Sequence, residues 1–512
     1  MVLSGAPVAA MKRLDELLDA GLASRPDAPA LVSRAGVTSY RDIDRQAGAL
    51  ARAYLAQGLA PGDRIVSLMP NRALLFVHYL ACQRAGLVAT PLNYRYTPPE
   101  IDHALSVSEA RVVVAHRERD ADLAASRASA LPIIRFDDEG GGDLARLAAG
   151  APLDAAPAAF DSAPAAIFFT SGSTGPAKGV THTRASLAAI FSSAVQSFGL
   201  TASDVVLPAS SCSHIGGFSC AMAGLSVGAS VAVARSFDHL EIGQLLRATQ
   251  PSMMSMLPAT LLTLIREHDM EAADFASLRL IRSAGDKVPD ELEKELFARV
   301  GKRISEGYGM TEFGLAALNA PEEPGALGSV GRPSPGFSFS IRDATGAEAA
   351  PELEGRLWAK TATQSCGYWR DEAASREVMR DGWFDTGDVM RSDAAGRLWF
   401  CGRAKQIIVH DGSNISPQEV EDALLEHPAV AGAGVIGIHD ALHGETVRAY
   451  VTLREDAPVP TAGELIAFAQ TRVGYKAPEQ IVVLDEMPMN ATGKVDRAVL
   501  KRLAAADHAS IR

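Results

Sequence analysis

The chain has 512 residues, 47% of them hydrophobic and 21% charged, which is typical of a globular protein with two to four domains. Its 49 basic and 61 acidic residues give a net charge of −12, which argues against nucleic acid as a main partner. The five cysteines form no CxxC pair, and the sequence contains neither a signal peptide nor a long apolar run. We therefore expect a soluble cytoplasmic protein without membrane insertion.

The first 115 residues alternate between helical and strand patterns. Ser39 and Asp42 predict the N-cap of an amphipathic helix that ends at Gly58. Strands that alternate with helices indicate a parallel, doubly wound sheet. In chain order the predicted elements are a short helix near Leu14, a hairpin over 28–32 and 36–40, a helix to Gly58, a strand over 65–69, a helix over 74–85 and a strand over 112–115.

A change of composition divides the remaining chain into further parts. Residues 137–164 are rich in Ala, Gly, Pro and Asp and predict a weakly structured connection. A second α/β alternation follows, and residues 329–400 show the short, broken apolar runs of a small all-β sub-domain. After Arg403 the pattern is α+β, with S/T-x-x-E capping boxes expected at Ser416 and Thr461.

The segment Thr170 to Gly179, TSGSTGPAKG, combines backbone freedom, hydroxyl groups and a lysine. An apolar run over 165–169 predicts a strand before it, and residues 184–197 predict a helix after it. Glycines let such a loop turn its N–H groups inward around a phosphate, and Lys178 adds a positive charge. An ordinary polar turn has the same composition. The Walker pattern G-x-x-x-x-G-K-S/T does not match, because the lysine follows Gly175 by three positions.

This segment resembles the phosphate loop of the adenylate-forming enzymes, which include acyl-CoA synthetases, luciferases and the adenylation domains of peptide synthetases. Their loop has the pattern S/T-S-G-S/T-T-G-x-P-K-G-V, and the one departure is Ala177, where the family usually has proline. The resemblance implies binding of ATP phosphates by Thr170, Ser171, Gly172, Ser173, Thr174, Gly175 and Lys178.

Two further segments resemble the nucleotide motifs of the same family. Residues 306–312, EGYGMTE, are similar to Y-G-x-T-E, and residues 381–388, DGWFDTGD, are similar to G-W-x-x-T-G-D. The resemblance implies that Tyr308, with Gly307, contacts adenine, that Thr311 contacts the α-phosphate, and that Asp388 binds the ribose hydroxyls. It also assigns Mg²⁺ to Glu312, and to Thr174 through ATP. A carboxylate suits Mg²⁺, which prefers oxygen ligands.

The last motifs lie in the C-terminal part. Residues 402–405, GRAK, resemble a G-R-x-K/D hinge, which implies that Arg403 contacts the ribose and that the C-terminal domain rotates about Lys405. Residues 487–497, MPMNATGKVDR, resemble P-x-x-x-x-G-K-I/V-x-R and make Lys494 the expected catalytic lysine. Attack of a carboxylate on the α-phosphate joins two anions, so a cation must meet them.

The acyl site is expected around residues 207–218, LPASSCSHIGGF, which resemble P-x-x-x-x-x-H-x-x-G. The resemblance places His214 beside the substrate carboxylate and, at the acyl pocket with it, Ile215, Gly216 and Gly217. A lone histidine is also common as a structural residue. Gly285 and Asp286, in SAGDKVP, occupy the adenine-contacting position, although the family commonly has S-G-G-A-P-L there. This departure leaves the polarity of the pocket open.

The resemblance extends from about residue 25 to about residue 500. It implies an α/β fold with an N-terminal AMP-binding domain over 1–404, made of doubly wound sheets and a small β sub-domain, and a mobile α+β lid over 405–512. The expected function is an ATP-dependent carboxylic acid:CoA ligase that uses Mg²⁺, with Gly412 and Ser413 lining the CoA tunnel.

Two alternatives stay open: an enzyme that loads a carrier protein, and a nucleotide-binding regulator without turnover. The small carboxylic acid is not identified, and a homodimer is one alternative for the oligomeric state.

Overall fold

The computed structural model describes residues 2–8, 13–138, 141–170, 177–236, 238–268, 270–284, 288, 290–320, 328–404, 406–410, 413–440, 444–455, 457–490 and 493–509. The α-helices in these residues are α1 Asp19–Ser24, α2 Tyr40–Ala56, α3 Ala73–Ala85, α4 Pro98–Ser108, α5 Asp120–Ala124, α6 Gly142–Ala148, α7 Arg184–Phe198, α8 Ile215–Ser226, α9 His239–Thr249, α10 Pro258–Glu267, α11 Asp290–Val300, α12 Glu372–Val378, α13 Pro417–Leu425, α14 Ala462–Val473 and α15 Arg497–Ala509. Short 3₁₀ helices cover Leu14–Leu18, Arg117–Arg119, Arg127–Ala130 and Gly474–Lys476.

The strands up to residue 318 are β1 Leu3–Ser4, β2 Pro29–Ser33, β3 Gly36–Ser39, β4 Arg64–Leu68, β5 Val88–Pro91, β6 Val112–His116, β7 Ile133–Phe136, β8 Pro164–Thr170, β9 Lys178–Thr183, β10 Val205–Pro208, β11 Ser230–Val233, β12 Met253–Met256, β13 Leu280–Ala284, β14 Ile304–Met310 and β15 Gly314–Leu318. The later strands are β16 Arg332–Pro333, β17 Phe337–Arg342, β18 Gly355–Thr361, β19 Gly367–Tyr368, β20 Met379–Arg380, β21 Trp383–Ser392, β22 Leu398–Arg403, β23 Ile408–His410, β24 Ser413–Ile415, β25 Val430–Asp440, β26 Gly444–Leu453 and β27 Gln480–Val483.

Two α/β sheets form the larger part of the molecule. The first has the order β19-β9-β8-β5-β4-β6-β7 and the second the order β16-β15-β14-β13-β12-β10-β11-β2-β3. Neighbours from β8 to β7 in the first sheet, and from β14 to β2 in the second, are parallel. Helices α7 and α8 pack on each other, and α7 contacts β8 and β9 while α8 contacts β10 and β11. The predicted doubly wound α/β fold is confirmed.

A smaller antiparallel sheet joins β1, β17, β18, β21 and β20, with β22 on the far side of β21. It confirms the β sub-domain expected over 329–400. Two connections were not foreseen, because each rests on a strand of only two residues. The N-terminal strand β1 joins this sheet, and β19 leaves the sub-domain to pair with β9 of the first α/β sheet.

The C-terminal sheet contains β23 to β27, with α13 packed on β25 and α14 on β27. This is the α+β pattern expected after residue 405, while the boundary at 404 stays a prediction. Thr461 forms the predicted capping box with Glu464. At Ser416 the predicted helix start, with Pro417 at the first helical position, is confirmed, but the capping box is wrong because the Ser416 side chain makes no capping bond.

Two other expectations are corrected. The connection over 137–164 is not unstructured throughout, because it contains α6, whose Leu144 and Ala148 are buried. The expected order of strand, glycine loop and helix is also wrong, because β9 comes between the loop and α7 and pairs antiparallel with β8. The loop therefore connects a hairpin, with Thr170 opposite Lys178. Among the helices of the described ranges, none has both the length and the apolar character needed to cross a bilayer.

Candidate active site

Tyr308, Asp388 and Arg403 come from three strands and meet at one point. Asp388 on β21 lies directly opposite Arg403 on the neighbouring β22. The Arg403 Nε lies 2.9 Å from Asp388 Oδ1, and the Tyr308 hydroxyl donates a 2.6 Å hydrogen bond to Oδ2. The structure thus unites three residues that the sequence analysis assigned to the nucleoside, although 80 residues separate Tyr308 from Asp388.

The carboxylate of Asp388 is only 1% exposed. Burial raises its pKa, while Arg403, the Tyr308 hydroxyl and Lys494 each act to lower it. Burial also raises the pKa of Tyr308, and the nearby Asp388 charge adds to this effect. The tyrosine therefore stays a neutral hydrogen-bond donor. When Asp388 is ionised this bond is charge-assisted, which makes it roughly twice as strong as a neutral one.

Glu312 follows β14 and is 5% exposed. The Tyr368 hydroxyl donates a 3.0 Å hydrogen bond to its Oε1. Burial raises the pKa of Glu312, whereas Tyr368 and Arg403 lower it. The Lys178 Nζ lies 4.7 Å from the centre of the Tyr368 ring, within the range of a cation–π contact. This chain of contacts joins the start of β9 to the carboxylate that follows β14.

Thr311 is positioned through its backbone. His182, on β9, lies 2.8 Å from the Thr311 carbonyl through Nε2 and 3.1 Å from Ser186 Oγ through Nδ1. Because a carbonyl can only accept, Nε2 carries the proton. Burial lowers the pKa of His182 to about 4, so the ring is neutral near pH 7. The hairpin that carries the glycine loop is thereby tied to the segment that holds Thr311 and Glu312.

His214 lies at the N-cap of α8 and is half-buried. The Asn93 amide nitrogen lies 3.2 Å from its Nε2. Since an amide nitrogen can only donate, Nε2 accepts and the ring is neutral. Burial lowers the pKa of His214 to about 4, and the charge of Lys494 adds to this shift. A neutral histidine with a fixed tautomer can border a carboxylate without forming an ion pair with it.

The glycines after His214 differ in what surrounds them. A Cβ on Gly217 would lie 2.6 Å from the Ser211 carbonyl oxygen, so packing against that backbone requires glycine there. A Cβ on Gly216 would meet nothing closer than the Arg282 Nη1, at 4.0 Å. The expectation that both glycines leave room for an acyl group therefore fits Gly216 alone. At Gly217 the close backbone contact explains why the residue is glycine. Gly307 has a packing reason too, because its Cβ would lie 3.1 Å from the Ala317 carbonyl oxygen.

Lys494 is held at the end of a tight backbone turn. Asn490 donates its N–H to the Lys494 carbonyl oxygen at 2.7 Å, and Asn490 Oδ1 accepts from the Lys494 N–H at 3.1 Å. Gly493 has a φ of +83°, which favours glycine at this position. The lysine charge acts on both His214 and Asp388. The C-terminal lysine is therefore near enough to His214 and Asp388 for its charge to act on both.

Several predicted site residues lie outside the described residues, namely Ser171, Gly172, Ser173, Thr174, Gly175, Gly285, Asp286, Lys405 and Gly412. Ser413 begins β24. Thr170 and Lys178 face each other across the base of the glycine hairpin, and Ile215 begins α8.

Sequence reasoning missed three residues of this site. Asn93, His182 and Tyr368 hold His214, Thr311 and Glu312 in turn. A signal existed for His182, since it lies three residues after Gly179 on the strand that leaves the loop. Asn93 and Tyr368 come from distant short segments that carry no periodic pattern.

Comparison with known proteins agrees with this arrangement. Residues 18–369 match the family described as AMP-binding enzyme, and residues 419–494 match the AMP-binding enzyme C-terminal domain. The chain is 30% identical over 487 residues to a feruloyl-CoA synthase of Amycolatopsis sp, covering 93% of this chain and 96% of the relative. It is 31% identical over 500 residues to a sulfoacetate–CoA ligase of Cupriavidus necator, covering 95% and 97%.

Solved structures give the same result. The ATP-bound MatB of Rhodopseudomonas palustris superposes with a TM-score of 0.89 at 28% identity, covering 96% of this chain and 99% of that one. The apo form of the same protein gives a TM-score of 0.78 at the same identity. The fold and the site therefore define an adenylate-forming enzyme. The chain belongs to the AMP-binding enzyme family.

Proposed function

We propose that the protein is a carboxylic acid:CoA ligase in which the residues described above carry out two half-reactions. In the first, the acid carboxylate attacks the α-phosphate of ATP to give an acyl adenylate and pyrophosphate. In the second, the thiol of CoA displaces AMP. The observation that carries the proposal is the junction of Asp388 with Tyr308 and Arg403, on which the charge of Lys494 also acts.

Asp388 and Arg403 are proposed to bind the ribose. Tyr308 is proposed to contact adenine, together with Gly307, Gly285 and Asp286. Asp388 suits a diol because a carboxylate can accept from both hydroxyls. Its Oδ1 is buried without a hydrogen bond, although it pairs electrostatically with Arg403. Buried acceptors without a hydrogen bond cost free energy, so a ribose hydroxyl there would stabilise the bound state.

Glu312 is proposed to hold Mg²⁺, with Thr174 contributing through ATP. The donor fits the ion, because Mg²⁺ takes carboxylate oxygens and Tyr368 occupies Oε1 of Glu312 with a single bond. Burial raises the pKa of this carboxyl group, and a divalent cation would offset that effect. When bound, the ion neutralises phosphate charge. Thr311 is proposed to contact the α-phosphate, at a position fixed by His182.

The glycine hairpin from Thr170 to Lys178 is proposed to bind the β- and γ-phosphates. Since β9 rather than a helix follows the loop, the loop does not lead into a helix N-terminus, and phosphate binding is proposed to depend on its N–H groups, its hydroxyls and Lys178. Lys178 also contacts the Tyr368 ring, so it assists while Lys494 meets the charge that develops at the attacked phosphorus.

The remaining assignments concern the acid and the lid. His214, Ile215, Gly216 and Gly217 are proposed to border the acyl group. Rotation about Lys405 would remove Lys494 before thioester formation and bring Gly412 and Ser413 to the CoA tunnel. The ATP-bound MatB structure resembles this chain more closely than the apo form does, which supports a lid placed for adenylation.

Cellular location and oligomeric state are also proposed. The five free cysteines support a reducing, cytoplasmic location. A homodimer is an expectation that sedimentation of the purified protein would test.

The proposal is tested by supplying a panel of carboxylic acids with Mg-ATP and either CoA or a phosphopantetheinylated carrier protein. We expect AMP and an acyl-CoA thioester to form with CoA. AMP release that depends on the carrier and ignores CoA would favour carrier loading. A protein that binds ATP but releases no pyrophosphate with any acid would be the regulator. The named relatives use different acids, so they identify the reaction and leave the substrate open.

A further inference from the structure

A buried arginine lies behind the proposed acyl site and has no assigned role there. Arg282 is on β13 and is 7% exposed. Its Nη1 donates a 2.8 Å hydrogen bond to Ser255 Oγ on the neighbouring strand β12, and its Nε is buried without a hydrogen-bond partner. Its guanidinium also lies 5.7 Å from the centre of the Phe198 ring.

Among the described residues, no carboxylate forms an ion pair with Arg282. Across the described part of the chain, no carboxylate is among the groups that act on its pKa, which burial lowers. Cys220 acts against this lowering of the Arg282 pKa. It is a buried thiol whose own pKa is raised to about 11, so it is neutral. Burying an arginine with no counter-ion is costly, and most buried arginines are paired.

Arg279 provides a direct contrast three residues earlier. Its Nε lies 3.1 Å from Asp204 Oδ1, and its other nitrogens donate to the carbonyl oxygens of Phe198 and Gly199. In the part of the chain that the structure describes, Arg279 is therefore paired with a carboxylate and Arg282 is not.

The unpaired charge faces the segment that follows His214. The Nη1 of Arg282 is the nearest atom to the space above Gly216, at 4.0 Å from an ideal Cβ. Gly216 is the second residue of α8, where the helix has its free N–H groups and positive end. The guanidinium and the helix N-terminus thus create positive potential on the same side of the proposed acyl site.

We propose that Arg282 is a specificity residue that binds a second anionic group of the acid, a carboxylate or a sulfonate, while the reacting carboxylate lies near His214 and Lys494. The inference rests on the proposed ligase function and narrows its substrate class. The bound anion would supply the missing counter-ion of the buried guanidinium, and Gly216 would leave the path between them open.

The test compares matched acids in pyrophosphate release. The two acids of each pair differ only at the far end, where a methyl group replaces the second anionic group: 3-sulfopropanoate with butanoate, or benzene-1,4-dicarboxylate with 4-methylbenzoate. We expect wild-type kcat/KM to be at least tenfold higher for the acid with the second anion in at least one pair. In Arg282→Gln we expect this preference to fall at least tenfold, chiefly through KM, with activity on the neutral acid retained.

Arg279→Gln is the matched control, because it removes a paired arginine from the same segment and should leave the preference between acids unchanged. Thermal unfolding adds a second readout. Since no described carboxylate offsets the buried charge, Arg282→Gln should not lower Tm, and the second-anion acid should raise the Tm of the wild type more than that of the variant.

The possible failures are separable. Two results would overturn the role of Arg282 and leave the ligase function standing. One is an equal kcat/KM of the wild type for the neutral and the anionic acid of every pair. The other is an equal loss of kcat/KM on both acids in Arg282→Gln. Absence of pyrophosphate release with every acid would overturn the ligase function itself.

Discussion

Tyr308 donates a 2.6 Å hydrogen bond to Asp388 and so joins two motifs that lie on different sheets. With Arg403 on the other oxygen, the bond fixes the plane of a nearly inaccessible carboxylate. A preorganised acceptor binds a ribose diol without reorganising, and loss of either support should weaken nucleotide binding.

We expect Asp388→Ala to raise the KM for ATP by ten- to a hundredfold, since hydrogen bonds to charged groups contribute about 1.5–3 kcal/mol. Tyr308→Phe keeps the Asp388 carboxylate and should raise the KM for ATP less than Asp388→Ala does. Asp385→Asn is the control, because Asp385 lies on the same strand and pairs with Arg356. Steady-state pyrophosphate release at varied ATP measures all three. Equal KM values for wild type and Asp388→Ala would exclude the ribose assignment.

Lys494→Ala should slow adenylation by 10²- to 10³-fold, because a preorganised donor to developing charge contributes about 2.7–4 kcal/mol. Thioester formation from supplied acyl adenylate and CoA should be retained. Lys501→Ala, at an exposed position of α15, is the control and should affect neither step. An equal loss in both half-reactions would contradict a lid that removes Lys494 after the first.

Lys178→Ala should slow adenylation less than Lys494→Ala does. Lys178 lies at the base of the hairpin and contacts the Tyr368 ring, so it is expected to act on the leaving pyrophosphate. Single-turnover rates of acyl adenylate formation at saturating ATP give the comparison. If Lys178→Ala proves the more damaging change, this division between the two lysines is wrong.

The acid limb of the pH profile should report Glu312. Burial raises the pKa of this carboxyl group, so as pH falls it protonates earlier than an exposed glutamate, and the form that binds Mg²⁺ is lost. The Tyr368 hydrogen bond acts to lower that pKa. Tyr368→Phe should therefore move the acid limb of kcat/KM to higher pH, and Glu312→Gln should raise the Mg²⁺ concentration needed for activity. If the acid limb of kcat/KM does not move in Tyr368→Phe, the limb does not report the protonation of Glu312.

The sequence predicted the fold class well, because apolar runs that alternate with helices such as the amphipathic α2 are visible in it. The motifs also identified Tyr308, Asp388 and Arg403, which the structure brings together. The strands β9 and β19 were missed, because they have little apolar pattern of their own and form through pairing. A single sequence does not display contacts between distant segments. It therefore could not predict the roles of Asn93, His182 and Tyr368, which hold site residues in place, or the surroundings of Arg282.

The central claim is that the protein itself joins a carboxylate to AMP. Exchange of labelled pyrophosphate into ATP, with an acid from the panel and without CoA, tests it most directly. We predict acid-dependent exchange by the wild type and its loss in Lys494→Ala. Exchange that is absent with every acid, or that appears only when CoA is added, would contradict the account.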